Sequence, residues 1–568
     1  MPRRRLLVFG AALASLLGAS TASASLSPSG AVLADLIEVA IDRDTPTQGV
    51  DRSVVEAHLD ARSGFTADEL VDGHFTRATG LSPVGARLLA ELRTAPFHGL
   101  EASAFVTPAL AEAIDRLDAA VIARPPALRD MAGRDWMSTL ARSLPDSPAA
   151  ADPAKVAIAA RLASAEDLRV RAWFDARQMT DGERAAARAH VEVELARALV
   201  AWSDAMDPTR GALDPALRSS DVDAVDAALV ALAPVDPDYA ALVRELARLR
   251  AVANGGGWPS HPTDPAAAST LEGQAAVRAR LVADDWFEGP VPAIEDDRHG
   301  GAAPIDAGLS DAIARFQAHH QLAPTGLLDR DTLDAMAVPA ADRADTSARN
   351  LERLRSARSR HDAGADAVLV NVAAYEVRVV LDGSEAMRMR AVVGATTENG
   401  RNRTPLFSDA MERIELNPIW YVPPRIARRI YANPARGYEW YGGQLIQRPG
   451  PHNSLGRAKF LFPNPHAVYL HDTNHPELFD RPDRAASSGC VRVADPLGLA
   501  AVLIAHDTGR GVEDVRAEVD AIIASGRTEA VALTTPLPVH IEYRTAWLSD
   551  SGRVAFATDV YDLDAPTS

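Results

Sequence analysis

The hydrophobic period changes once along this chain of 568 residues, and that change limits what it can fold into. From residue 25 to about 265 apolar residues recur at helical spacing. In "VEVELARALVAWSDAM", Val191, Leu195, Leu199, Trp202 and Met206 fall on one face. In "VDPDYAALVRELARLRAVANGGG", Asp236 is placed to cap a helix with Pro237 at its first position. Leu242, Leu246 and Leu249 form its stripe, and Asn254 with the following glycines ends it. Beyond about residue 365 the period is two. "AVLVNVAAYEVRVVLDGSEAMRMRAVVG" alternates about the turn Asp382-Gly383, and "LPVHIEYRTAWLSDSGRVAFATDVYD" predicts a second hairpin turning near Asp550 to Gly552. The expected class is α+β with several domains, helical first and mainly β last.

Between these regions, residues 254 to 268 read as a Gly/Pro/Ser linker. Residues 270–338 form a small three-helix unit: Leu309, Ile313 and Phe316 make one face, Pro324 to Gly326 a turn, and Asp329 caps a helix that buries Leu333 and Met336. Residues 339–364 are a charged helical connector, and 365–565 the β-rich domain. At the start, "MPRRR" followed by "LLVFGAALASLLG" and a small-residue cleavage signal ending at Ala24 reads as a secretory signal peptide over 1–24. The apolar run is short for a spanning helix, and no later segment reaches the roughly 18 uninterrupted apolar residues that one needs. The expected location is an extracytoplasmic space.

Acidic residues outnumber basic ones, 77 to 59, for a net charge of −18, which disfavours nucleic acid and anionic lipid as partners. Cys490 is the single cysteine, so no intramolecular disulfide forms. A lone cysteine in an exported chain is either a small buried hydrophobe or a working thiol.

Its setting favours work. A strand over "AVYLH", 467 to 471, puts Tyr469 and His471 on one face, and "CVRV" puts Cys490 and Arg492 on one face. "SSG" before Cys490 is a tight turn that exposes the sulfur, and Asp495-Pro496 start an apolar helix. A histidine and a cysteine nineteen residues apart thus come to neighbouring strand ends. A thiol with a pKa of about 8.5 is mostly protonated at neutral pH. An imidazole either removes the proton or holds the thiolate as an ion pair. The thiolate attacks an acyl carbon, and the imidazole returns the proton to the leaving amine. Backbone N–H groups around Gly489 and Cys490 are placed to stabilise the oxyanion, an effect of about 3 kcal/mol per donor.

"YLHDTNHPELFDRPDRAASSGCVRV" resembles the active-site signature of the L,D-transpeptidases, bacterial enzymes that cross-link peptidoglycan. The resemblance implies that His471 is the general base and Cys490 the nucleophile. Ser488 stands where many members have a second histidine and one large branch has serine. Ser487, Gly489 and Arg492 match the surrounding motif, and Tyr469 corresponds to a site tyrosine of that branch. "NRTPLF", "ELNPIWYVPP" and "PGPHNSLGRAKF" resemble further family segments, bringing Trp420, Asn453 and Asp472 into the set that shapes the site or its oxyanion. "AIARFQAHHQLAPTGLLDRDTL" resembles a peptidoglycan-binding module. Where that branch often carries a sizeable capping subdomain, only 425–450 intervene here, giving a short lid with Tyr438, Trp440 and Tyr441 either packing the loop or touching substrate.

The resemblance implies that Cys490 attacks the third residue of tetrapeptide stems, releases D-Ala and passes the thioester to a neighbouring stem as a 3→3 cross-link. Water, a free D-amino acid or a lipoprotein amine are alternative acceptors. No cofactor or metal is implied, and β-lactams, carbapenems above all, are implied covalent inhibitors. Arg492 and Arg484 either hold stem carboxylates or brace the turn, with bracing favoured for Arg492. Oligomeric state is not legible. Three rivals are weaker. His471 and His475 have H-x3-H spacing, but in a loop without an evident third ligand. The S-x-x-K motif of serine enzymes is absent, since neither Lys155 nor Lys459 has serine three positions before it. A wall-binding scaffold without catalysis leaves the His471–Cys490 pair unexplained.

Overall fold

The computed structural model describes residues 52–59, 65–71, 73–77, 80–122, 181–208, 213–288, 302–357, 365–397, 399–428, 430 and 433–565. The signal peptide read at 1–24 lies outside them. The chain divides into two compact units, one comprising residues up to 60 with 65–86 and 108–195, the other 61–64, 87–107 and 196–568. In the first, helices Arg52–His58, Ala67–Val71 and Pro108–Ile122 accompany a short hairpin, Thr76–Arg77 with Gly80–Leu81. The carboxylate of Glu192 accepts hydrogen bonds there from the backbone of Phe75 and Thr76. The five residues of the stripe Val191 to Met206 are buried along helix Asp181–Met206.

The second unit includes α1 (Val222–Leu232) and α2 (Pro237–Asn254). Asp236 caps α2 through its side chain, and Leu242, Leu246 and Leu249 are buried as their spacing predicts. The three-helix unit consists of α3 (Leu271–Ala283), α4 (Ala307–His319) and α5 (Arg330–Ala337), followed by α6 (Ala340–Ala357). Its core is Val277, Leu281, Leu309, Ile313, Phe316, Leu333 and Met336. Asp329 accepts from the Thr332 N–H, and Gln317 reaches Thr325, Leu327 and Thr332, so the turn at 324–326 is tied to α4.

The strands follow in chain order: β1 (Ala367–Asn371), β2 (Glu376–Leu381), β3 (Ser384–Gly394), β4 (Phe407–Leu416), β5 (Trp420–Tyr421), β6 (Tyr438–Tyr441), β7 (Gln444–Gln447), β8 (Ala458–Leu461), β9 (Leu470–His471), β10 (Ala485–Ser487) and β11 (Val491–Val493). Helices α7 (Pro496–Thr508) and α8 (Val512–Ser525) precede β12 (Glu529–Glu542), β13 (Ala546–Leu548) and β14 (Val554–Phe556). Among the described residues one nine-stranded sheet runs in the order β10-β3-β11-β9-β8-β4-β12-β1-β2, and a further β2–β3 pairing closes it on itself. The β2–β3 turn is Asp382-Gly383, both at positive φ, as a two-residue hairpin of this twist requires. Inside lie Val368, Val370, Val393, Ile414, Phe460, Leu470, Val491 and Val493, with Leu499, Leu503 and Ile504 of α7. Fully burying each such side chain is worth about 1.5–3 kcal/mol, so this core sets the register of the short strands that carry the chemistry. β5, β7 and β6 form a separate three-stranded sheet around Trp420, Val422, Leu445 and Leu455.

Candidate active site

β9 is only two residues long, shorter than the strand predicted over 467–471. Ala467 has φ +52°, which ends extended backbone and turns the chain into the strand. β9 pairs antiparallel with β8, Lys459 opposite His471, and parallel with β11, Leu470 opposite Val491 and His471 opposite Arg492. The register sends Leu470, Val491 and Val493 into the core. On the other face, Tyr469 stands beside Cys490 and His471 beside Arg492, which makes His471 and Cys490 diagonal neighbours across a parallel pair. Cys490 itself lies one residue before β11, in the turn.

His471 is buried, and its Nδ1 hydrogen-bonds the backbone carbonyl of Asp472. Nδ1 is therefore the protonated nitrogen, and Nε2 keeps its lone pair. Burial, Arg492 and Lys459 push its pKa down to about 3, so the imidazole is neutral at working pH. The Cys490 thiol is pushed up by burial, against the lowering influence of a Tyr469 hydrogen bond, Lys459 and Arg492. The sulfur also lies 3.9 Å from the Ala467 carbonyl oxygen. Burial and the neighbouring Cys490 push the Tyr469 phenol up, while Trp420 pulls it down. Lys459 Nζ sits 4.3 Å from the Tyr469 ring centroid. No hydrogen bond joins His471 to Cys490 among the described residues, so the pair rests as neutral imidazole and neutral thiol on one face.

The turn before Cys490 is held from three sides. Gly489 has φ +122°, a conformation open to glycine and strained for other residues. Its N–H donates to Ser487 Oγ at 3.1 Å, and Ser487 Oγ donates to the Cys490 carbonyl at 2.6 Å. Its carbonyl accepts from Thr404 Oγ1 at 2.9 Å. Thr404 is fixed in turn: its Oγ1 accepts from the Gly394 N–H, and its N–H donates to the Tyr561 hydroxyl at 2.9 Å, which donates to the Gly394 carbonyl at 2.6 Å. The Gly489 N–H is thus engaged inside the turn by Ser487. Sequence reasoning missed Tyr561 altogether, since only the return of the C-terminal segment brings it to the turn.

The remaining sequence-derived residues fall into place around this face. Asp472 accepts from the Arg457 N–H and Nε and from the Thr473 N–H, anchoring the loop whose carbonyl orients His471. Asn453 is buried, its Nδ2 donating to the Pro418 and Arg448 carbonyls and its Oδ1 accepting from the Leu455 N–H, so it ties the β5–β7 sheet to the β8 lead-in. Ser488 is exposed. Against the bracing role its sequence favours, the Arg492 side chain makes no hydrogen bond among the described residues, and its Nε is buried without a partner. Arg484 braces instead, donating to the Ala391 and Arg481 carbonyls. His475 pairs with Glu477 on the surface. In the segment 425–450, Tyr438 is half-buried while Trp440 and Tyr441 are exposed.

Comparison with known proteins bears on the sheet and on the three-helix unit. Residues 365–511 match the model of the L,D-transpeptidase catalytic domain, and residues 303–336 match the model described as "Putative peptidoglycan binding domain". A curated relative from Haemophilus influenzae, described as "Putative L,D-transpeptidase", is 27% identical over 277 residues, covering 43% of this chain and 54% of the relative. The chain thus spans about half the length of that relative. Among solved structures, the L,D-transpeptidase from Stackebrandtia nassauensis is 14% identical with a TM-score of 0.20, covering 51% of this chain and 98% of that one. L,D-transpeptidase 1 of Mycobacterium tuberculosis is 15% identical with a TM-score of 0.16, covering 31% and 61%. At such scores the two solved structures add nothing to the assignment, which rests on the family model and the curated relative. Residues 365–511 thus match an L,D-transpeptidase catalytic domain, with a unit that matches a peptidoglycan-binding domain ahead of it.

Proposed function

We propose that the chain is an exported, periplasmic L,D-transpeptidase that forms 3→3 cross-links through a thioester on Cys490. The observation that carries this reading is the β9–β11 register, which sets the free Nε2 edge of His471 and the thiol of Cys490 on one face. A donor tetrapeptide stem binds with the carbonyl of its third residue against the sulfur. His471 Nε2 takes the thiol proton as the sulfur attacks, a rotation of the side chain away from Ala467 bringing it into line. The oxyanion forms beside the Cys490 N–H and the Tyr469 hydroxyl. Collapse breaks the peptide bond, and the imidazolium returns its proton to the departing D-Ala amine. An amine of a second stem then attacks the thioester, loses a proton to Nε2 and takes the acyl group, and the proton passes back to the sulfur. Arg492, next to both groups and without a protein partner among the described residues, is suited to a stem carboxylate. Carbapenems would acylate the same sulfur.

The proposal on export rests on residues 1–24; no described helix is long and apolar enough to cross a membrane. Mass spectrometry of the protein with a tetrapeptide muropeptide tests the nucleophile. An acyl adduct is expected at Cys490, and one that persists in Cys490→Ala would end the claim. Products formed with a second muropeptide, with water alone and with free D-amino acids separate cross-linking from trimming and exchange.

A further inference from the structure

A pocket of about 230 Å³ opens within the second unit, where α2, the end of α3, α6 and the β13–β14 hairpin meet. Its walls are unusually cationic. Arg244, Arg248, Arg280, Arg343 and Arg553 line it, against the acidic Glu245, Asp284 and Asp285. Two of the cations are neutralised: Arg248 pairs with Glu245 at 2.6 Å and Asp284 at 2.8 Å, and Arg280 pairs with Asp284 at 2.9 Å. Arg343 and Arg553 have no ion pair among the described residues. Arg553 donates to the backbone carbonyls of Asp284 and Asp285 and lies 3.9 Å from the Trp286 centroid. Arg343 donates to the Ala335 carbonyl and lies 4.9 Å from the Phe556 centroid. Burial lowers the Arg343 pKa to about 10, the mark of a cation whose desolvation is poorly offset.

A half-buried guanidinium without an ion pair is better stabilised when a counter-ion reaches it, and aromatic faces supply only part of that stabilisation. Guanidinium forks fit the oxygens of carboxylate and phosphate groups in pairs. The volume suits a small acid and excludes a polymer. We propose that this pocket binds a small oxyanion, a carboxylate or phosphate group held between Arg343 and Arg553. A ligand there would touch the helical unit, α6 and the C-terminal hairpin at once, and would tie them together. The inference does not depend on the role of Cys490.

The test is isothermal titration of the full chain with sodium pyrophosphate and, separately, with glutarate, at constant ionic strength. Saturable one-to-one binding is expected for at least one, with a rise in melting temperature; the tighter arm identifies phosphate or carboxylate. Arg343→Gln and Arg553→Gln are each expected to weaken it at least about tenfold through loss of a charge-assisted hydrogen bond. Arg516→Gln, on the exposed face of α8, is expected to leave it unchanged. If Arg343→Gln fails to fold, Arg553→Gln on the hairpin decides alone. Absence of saturation with both anions, or an affinity untouched by Arg553→Gln, overturns the proposal.

Discussion

Tyr469 and Cys490 face each other across two parallel strand ends: the Val491 N–H donates to the Tyr469 carbonyl at 3.2 Å, and hydrogen bonding by Tyr469 favours the Cys490 thiolate. That contact lowers the thiol pKa while burial raises it, and burial prevails. Alkylation of Cys490 by iodoacetamide is therefore expected to climb steadily from pH 7 to beyond the ordinary thiol range, because only the thiolate reacts. Tyr469→Phe removes a hydrogen bond of about 0.5–1.5 kcal/mol, which shifts the profile upward by roughly half to one pH unit. A rate plateau between pH 5 and 7 would instead reveal a thiolate–imidazolium pair and contradict the neutral resting state.

The Tyr561 hydroxyl holds Thr404 and Gly394 behind the Cys490 turn. Tyr561→Phe leaves the Thr404 N–H and the Gly394 carbonyl buried without that partner, at a cost of about 1–3 kcal/mol. Urea unfolding measures this. If the hydroxyl also positions the turn, kcat falls with KM unchanged, and Thr404→Val lowers kcat in the same way.

Gly456 has φ +62°, and a Cβ there would lie 2.3 Å from the Asp472 carboxyl carbon. Gly456→Ala is expected to destabilise by about 1–3 kcal/mol and to displace the loop that orients His471. Activity should fall more than stability alone explains. Wild-type turnover by a folded Gly456→Ala protein would show that the Asp472 anchor does not matter.

Arg544 is enclosed by Asp236, Asp238 and Glu542, at 2.9, 2.7 and 2.9 Å. It joins the start of α2 to the end of β12. Removing the cation leaves carboxylates buried together, so Arg544→Met is expected to cost about 3–5 kcal/mol in urea unfolding. A loss below 1 kcal/mol would mean that water reaches the cluster.

Burial holds His98 near pKa 4, His471 near 3 and His320 well below its ordinary value. Each folded-state value lies below the unfolded value of about 6.5. Above that pH both states are neutral. As pH falls through it the unfolded chain takes up protons first, so stability declines from about pH 6.5 toward 3–4. Melting temperature measured from pH 7.5 to 4.5 should fall, and His320→Gln should make the fall shallower.

Period and caps carried far in the sequence because they are local. The stripe on α2, the Asp236 and Asp329 caps and the Asp382-Gly383 turn need only near neighbours, and they lie where the spacing predicts. The alternation that sends Leu470 and Val491 inward likewise put Tyr469, His471, Cys490 and Arg492 together on one face, and the motif resembles that of the L,D-transpeptidases. Partners distant in the chain were not legible. Nothing near Gly489 announces Tyr561, and nothing near Arg492 says that its guanidinium goes unused by the protein. The engagement of the Gly489 N–H by Ser487 depends on the turn's exact path.

By itself the amino-acid sequence determined the order of helical and β regions, the residue types of the reactive face and the kinship of the domain, because period, turn chemistry and motif are written over short spans. Only the tertiary structure decided which hydrogen-bond donors are free, how burial moves the thiol and imidazole apart in pKa, and where unpaired arginines gather. Those depend on desolvation and on contacts between residues hundreds of positions apart, which no local pattern encodes.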